Sequence, residues 1–167
     1  MEWRSGEWAM RYAVHVEESI DIAAPPDLIY ATIVDVENWG RFSPETTGAS
    51  CQDDGGELRV GDRFSGHNRR GARRWTTHCE VTVADAARCF EFRSGAVGLA
   101  IATWRYELEP TTTGTRVTEI WHDNRGRLMR VIAVLVSGIR DRATHNSQSM
   151  RETLHRLKNH LEHQPIP

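Results

Sequence analysis

Nothing in this chain stays apolar for long. The longest strongly apolar run, VIAVLVSGI from Val131 to Ile139, falls far short of the roughly 20 residues that a membrane helix needs. No stable membrane insertion is therefore expected. The N-terminal MEWRSGEWAMRY has no continuous apolar segment and does not read as a secretory signal. Neither sign of charge is in excess: 21 basic residues stand against 23 acidic ones, for a net charge of -2. That balance gives no support to nucleic acid or anionic lipid as an obligatory partner. A cytoplasmic monomer or homodimer is the expectation.

Catalytic signatures are missing as well. The chain has no G-x-S-x-G, H-E-x-x-H, C-x-x-C, phosphate loop or G-x-G-x-x-G. Its three cysteines, Cys51, Cys79 and Cys89, do not make a disulfide framework. Cys79 shares the parity of Trp75, Val81 and Val83, whereas Cys89 opposes Phe90 and Phe92. The two are expected on opposite faces of a sheet, unbonded, as small buried hydrophobes. Of the eight histidines, His155, His160 and His163 are not spaced by four. They alternate with Arg156, Lys158 and Asn159, as a solvated helix face would. No metal and no cofactor is expected. The densest basic run, HNRRGARR from His67 to Arg74, reads as a solvated hairpin tip or as a grip for a phosphate. Arg125, Arg127 and Arg130 admit the same two readings.

What is present is the composition of an ordinary globular domain, 39% hydrophobic and 26% charged over 167 residues. Residues 1–11 read as a loose leader, 12–163 as a single domain and 164–167 as a tail. YAVHVEESIDI alternates, with Val14, Val16, Ile20 and Ile22 in phase, and predicts the first strand. AAPPDLIYATIVDV follows as a small helix region, with Pro25 and Pro26 at its entry and Leu28, Ile29, Thr32 and Ile33 at helical spacing. A weak strand, GASCQDD, is closed by Gly55 and Gly56. Further strands carry Leu58, Val60 and Phe64; Trp75, Thr77, Cys79, Val81 and Val83; Phe90 and Phe92; and Trp104, Tyr106 and Leu108. RVTEIWHD is the last. Hairpins at such regular spacing predict one antiparallel sheet. From Leu128 to Leu161 apolar residues recur every three or four positions, which predicts one long amphipathic helix, bent at Gly138. Such a sheet cannot close its apolar face alone, so the helix is expected to lie across it and to leave a gap of the kind that takes small molecules.

The stretches APPDLIYATIVDVENWGRFSPE, VGDRFSGHNRRGARRWTTHCEV, TWRYELEP, GTRVTEIW and LHRLKNHLE resemble the START-like (SRPBCC) superfamily, and within it the bacterial polyketide cyclase/dehydrase and lipid-transport branch. The resemblance runs from about Tyr12 to Glu162. It implies an α+β helix-grip fold, a seven-stranded curved antiparallel sheet around a long C-terminal helix with a small helix region after strand one. It implies less about chemistry, since the branch includes cyclases, aromatases, lipid and hormone binders and antibiotic-sequestering proteins.

The loop DVENWGRFSPET carries two aromatics, Trp39 and Phe42, where polar sequence is the norm. The resemblance places this loop at a cavity mouth, so these side chains either rim the entrance or plug the core. Inward parity assigns Phe64, Asn68, Trp75, Thr77, Trp104 and Tyr106 to the cavity wall, with Met150 from the helix. The last strand is ambiguous. Val117, Glu119, Trp121 and Asp123 share one face, and Arg116, Thr118, Ile120 and His122 the other. The first set is taken as inward because it carries the indole. Glu119 then sits among aromatics, where desolvation raises its pKa and suits it to donate a proton or to anchor a ligand hydroxyl. The expected partner is a small hydrophobic or aromatic ligand, such as a lipid, a polyketide or a related natural product. Two alternatives stand beside binding. One is a cofactor-independent polyketide cyclase, aromatase or dehydratase that moves protons with Glu119, Tyr106 or His122. The other is a protein-interaction module whose aromatics fill the core.

Overall fold

The computed structural model describes residues 14–52 and 57–163. The leader at 1–11, the tail at 164–167 and the Gly55–Gly56 turn lie outside the described residues. The elements are β1 (His15–Ile22), α1 (Pro26–Val34), a 3-10 helix (Val36–Arg41), β2 (Thr46–Cys51), β3 (Arg63–Arg70), β4 (Arg73–Asp85), β5 (Cys89–Ala96), β6 (Leu99–Pro110), β7 (Thr115–Asp123), α2 (Arg127–Ser137) and α3 (Arg142–His163). The strands form one sheet in the order β1-β7-β6-β5-β4-β3-β2, every neighbouring pair antiparallel. This is the α+β helix-grip arrangement.

The sheet curves because its strands are irregular. Register shifts interrupt β2 between Thr46 and Gly48, β4 between Val81 and Val83, and β5 between Ser94 and Gly95, and such bulges bend a strand and sharpen its twist. The β4 shift also exchanges faces. Val81 pairs with Phe92 but Ala84 with Phe90, so Ala84 packs on the core. Val83, expected inward by alternation, pairs with Glu91 instead. The strand expected from Leu58 begins only at Arg63. Leu58 is buried in the preceding loop and Val60 is exposed. On α1 the buried face is Ile29, Tyr30 and Ile33, with Leu28 exposed.

α3 lies across the concave face, burying Asn146, Met150, Leu154, Leu157 and Leu161. Its solvent edge is clasped to β1. Glu18 accepts hydrogen bonds from the Ser147 hydroxyl (2.6 Å) and Arg151 Nε (2.8 Å). Near its end, Glu162 accepts the Ala23 amide hydrogen (2.8 Å) and Lys158 donates to the Asp21 carbonyl (2.6 Å). The main core lies under this half of the helix, with Ile29, Phe64, Val81, Phe90 and Val117 buried there.

The single long helix expected over Leu128–Leu161 is two helices. Gly138, at φ 73°, ends α2 in the left-handed conformation and donates its N–H to the Val134 carbonyl (2.8 Å). Glycine adopts that conformation without a Cβ penalty. The β3–β4 hairpin tip seals the end. Arg70 donates to the Ser137 carbonyl (3.2 Å) and Arg73 to those of Leu135 (2.5 Å) and Val136 (3.2 Å), so these arginines serve helix carbonyls that have no intrahelical partner. α3 then restarts with the Asp141 carboxylate accepting the Thr144 amide hydrogen (3.1 Å), an N-cap contact. The apolar period runs through both helices, which is why it reads as one. The break turns Leu128 and Leu135 outward, 66% and 72% exposed.

Leu154→Ala, at the buried centre of α3, should lower unfolding free energy by about 2 to 5 kcal/mol. Leu135→Ala, on the same sequence stripe but past the break, should change it by less than about 0.5 kcal/mol. Urea denaturation of the two variants measures both, and equal losses would put the stripe back on one helix face.

Candidate functional site

The leading half of α3 and α2 stand off the sheet and enclose a cavity of about 330 Å³. Its sheet wall carries Asn68, Trp75 and Thr77 from β3 and β4, Phe92 and Ser94 from β5, Trp104 and Tyr106 from β6, and Glu119 and Trp121 from β7. The helix wall carries Met129, Ile132 and Ala133 from α2, and Asn146, Ser149 and Met150 from α3. Trp39, Phe42 and Glu45 close the side nearest the 3-10 helix.

Trp39 and Phe42 belong to core and cavity at once. The Trp39 indole donates to the Ile33 carbonyl (2.8 Å) and packs edge-on to Phe64, with ring centroids 5.7 Å apart. Phe42 is buried and meets the His160 ring at 5.1 Å. One set of faces seals the core, and both residues present another to the cavity. Phe64, expected in the wall, does not line it. It is 1% exposed, behind Trp39 and Phe92.

Most polar groups around the cavity are matched to one another. Thr46 donates to Asn68 Oδ1 (3.1 Å), and Asn68 Nδ2 donates to the Thr77 hydroxyl (3.4 Å). Glu45 is gripped by Arg142 and His145, each at 2.7 Å. Although burial opposes the charge, the His145 hydrogen bond and Arg142 outweigh it, and the Glu45 carboxyl lies below its usual range. Asp123 holds Arg125 through two oxygens, at 2.8 and 2.9 Å.

Glu119 is different. Its residue is 3% exposed, and the Tyr106 hydroxyl donates to Oε1 at 2.8 Å. Oε2 is buried with no hydrogen-bond partner among the described residues. Burial pushes the carboxyl up to about 8; the Tyr106 hydrogen bond pulls the other way and the Glu18 charge adds to the rise. At neutral pH Glu119 is therefore mostly the uncharged acid, able to donate as well as accept. Burial, reinforced by Glu119, drives the Tyr106 phenol well above its ordinary value. Both residues are held by central strands, paired across β6 and β7, which fixes the dyad on a rigid wall.

The third proton-transfer candidate, His122, is not there. It points to the opposite face of β7, against the His15 ring at 5.9 Å, as the alternation after Trp121 requires. Burial and then the His15 charge lower its pKa. Asn146, by contrast, lines the cavity without being among the residues expected there. The sequence carries its signal: one amide in an otherwise apolar stripe. Cys79 and Cys89 are free thiols, both pushed by burial to about 12, which suits inert filler. Among the described residues no group of three or more His, Cys, Asp or Glu could hold a metal ion, and no helix is long and apolar enough to cross a membrane.

This curved sheet with its cavity under a C-terminal helix defines a class, and sequence comparison places the chain in it. A family model described as "Polyketide cyclase / dehydrase and lipid transport" matches residues 13–162, and the chain belongs to that family. A Streptomyces halstedii protein named "Putative polyketide cyclase" is 35% identical over 102 residues, 59% of this chain and 92% of that protein. The solution structure of a polyketide-cyclase-like protein of Corynebacterium glutamicum is 31% identical, with a TM-score of 0.61, covering 89% of this chain and 91% of that one. The di-domain ARO/CYC BexL of the BE-7585A biosynthetic pathway shares the fold at 17% identity, with a TM-score of 0.70 over 91% of this chain and 51% of that one.

The raised pKa of Glu119 has a consequence for stability. The native state keeps a proton that an unfolded glutamate, near 4.5, releases, up to about pH 8. Stability from this group is fully present below the unfolded pKa and declines as pH rises toward the folded one, by about 1.4 kcal/mol per unit of the interval. Glu119→Gln should abolish that slope, so the wild-type melting temperature should fall relative to the variant's between about pH 5 and 8. A gap independent of pH would show that Glu119 is ionised in the fold.

Proposed function

We propose that the protein binds a hydrophobic or aromatic small molecule, of the lipid or polyketide type, in the cavity between sheet and C-terminal helix, and does so in the cytoplasm. The observation that carries this is the pairing of an apolar cavity of about 330 Å³ with one buried, half-satisfied carboxyl. A closed structural core gains nothing from such a group, which costs stability wherever its hydrogen bonds are incomplete. Four tryptophans at the wall, Trp39, Trp75, Trp104 and Trp121, supply flat apolar surface for a ring system. The cavity volume falls at the lower end of the usual range for small-molecule sites, about 300 to 1,000 Å³, and speaks against a filled interaction module.

Calorimetric titration with 1-naphthol tests the reading. Wild type should bind at one saturable site. Ser149→Phe, which places a ring in the cavity from α3, should weaken that binding tenfold or more without lowering the melting temperature. Equal affinity in both proteins would move binding elsewhere.

A second reading is favoured by the pKa of Glu119, close enough to neutrality for proton transfer in both directions. In an aldol cyclisation, an enol carbon attacks a ketone carbon and forms the new C–C bond. The ketone oxygen takes the proton of Glu119, and the enol hydroxyl returns a proton to the carboxylate. The cavity supplies the folded substrate geometry. Glu119→Gln should then lower turnover of a linear poly-ketone thioester by about a hundredfold or more, with substrate affinity changed only a few-fold. Cyclisation at the wild-type rate would remove Glu119 from the chemistry.

A further inference from the structure

Two cavity-lining side chains lack what their neighbours have. Asn68, Glu45 and Arg125 each meet a matching group, as described above. Glu119 Oε2 and Asn146 Nδ2 are both buried and, among the described residues, both without a hydrogen-bond partner, in residues 3% and 2% exposed. They belong to opposite walls of one cavity, Glu119 to the sheet through β7 and Asn146 to the helix layer through α3. Asn146 also heads the stripe whose other buried members, Met150, Leu154, Leu157 and Leu161, are all apolar. A leucine there would extend the same packing without an unpaired amide. A buried donor with no partner costs roughly 1 to 3 kcal/mol.

We infer that Asn146 is a second ligand anchor, and that the cavity selects molecules carrying two acceptor oxygens, one for the Glu119 acid on the sheet wall and one for the Asn146 amide on the helix wall. Asn146 Nδ2 offers N–H donors, and the uncharged Glu119 carboxyl offers an O–H at the oxygen that Tyr106 does not occupy. Two donors on opposite walls call for acceptors at separated positions, such as carbonyls at two edges of a compact ring system. A hydrocarbon chain with one terminal polar group satisfies only one of them. A ligand of the first kind repairs both deficits and bridges helix to sheet. This inference rests on the binding reading above and deepens it.

The test is a series of equal length: 1,4-diacetylbenzene with two carbonyls, 4-ethylacetophenone with one, and 1,4-diethylbenzene with none. Binding is followed by the shifts of tryptophan indole signals in NMR titrations at pH 6.5. Wild type should prefer the diketone to the monoketone by about three- to tenfold, the scale of one hydrogen bond. Asn146→Leu should erase that preference while leaving 1,4-diethylbenzene affinity within about twofold. Glu119→Leu should do the same, and the double variant should bind all three alike. Equal wild-type affinity for diketone and monoketone overturns two-point recognition while the cavity reading stands, and this comparison needs no variant to fold. A preference that survives Asn146→Leu overturns the role of Asn146. Failure of all three probes to bind wild type overturns the binding reading and this inference with it.

Discussion

The structure depends on how far α3 can follow a curved sheet. A straight helix laid on a concave surface touches it along part of its length. Here contact is closest toward the C-terminal end, where Leu154, Leu157 and Leu161 are buried on the main core and Glu162 and Lys158 tie the helix to the end of β1. Toward its start the helix is held to β1 by Glu18 and to the loop before β2 by Glu45, and α2, fastened to the β3–β4 hairpin tip, lines another side of the cavity. The cavity is the space these constraints leave. It needs no dedicated loop to create it, only a sheet bent by register shifts and a helix that Gly138 stops from continuing back across the opening.

Polar groups within that space have been treated in two ways. Near the 3-10 helix and the β3 edge they neutralise one another, through Glu45 with Arg142 and His145, and Asn68 with Thr46 and Thr77. These contacts stitch the loop after the 3-10 helix to α3 and to the sheet, so they act as fastenings. Deeper in, Glu119 and Asn146 are left with unused capacity. Local violations of the rule that buried polar groups are satisfied tend to mark function. The same desolvation that makes Glu119 expensive to bury keeps it protonated near neutrality, so the energetic penalty and the chemical usefulness have a single cause.

The strands and most of the inward aromatics could be read from alternation because packing against one face imposes a period of two. The reading failed where something other than period decided. Val83 leaves the inward set because a bulge adds a residue that alternation cannot count. The long helix divides because Gly138 takes the left-handed conformation and Arg70 and Arg73, distant in sequence, serve the carbonyls at the end it makes. Phe64 has the parity of a wall residue, but Trp39 arrives from another segment and covers it. The inward placement of Glu119 followed from its sharing a face with Trp121, whereas its hydrogen bond to Tyr106 needed the β6–β7 register. Asn146 lay in the apolar stripe in plain view. Only the absence of a partner for its amide distinguishes it from a tolerated polar residue, and that is a property of three dimensions.

Cavity binding is tested most directly by NMR of the tryptophan indole N–H groups during titration with 1-naphthol. Trp39, Trp75, Trp104 and Trp121 surround the cavity from the 3-10 helix and three different strands. A ligand between sheet and helix should shift all four signals, saturably and with one common dissociation constant. Signals that stay fixed, or that drift without saturation as the ligand is added, would contradict it.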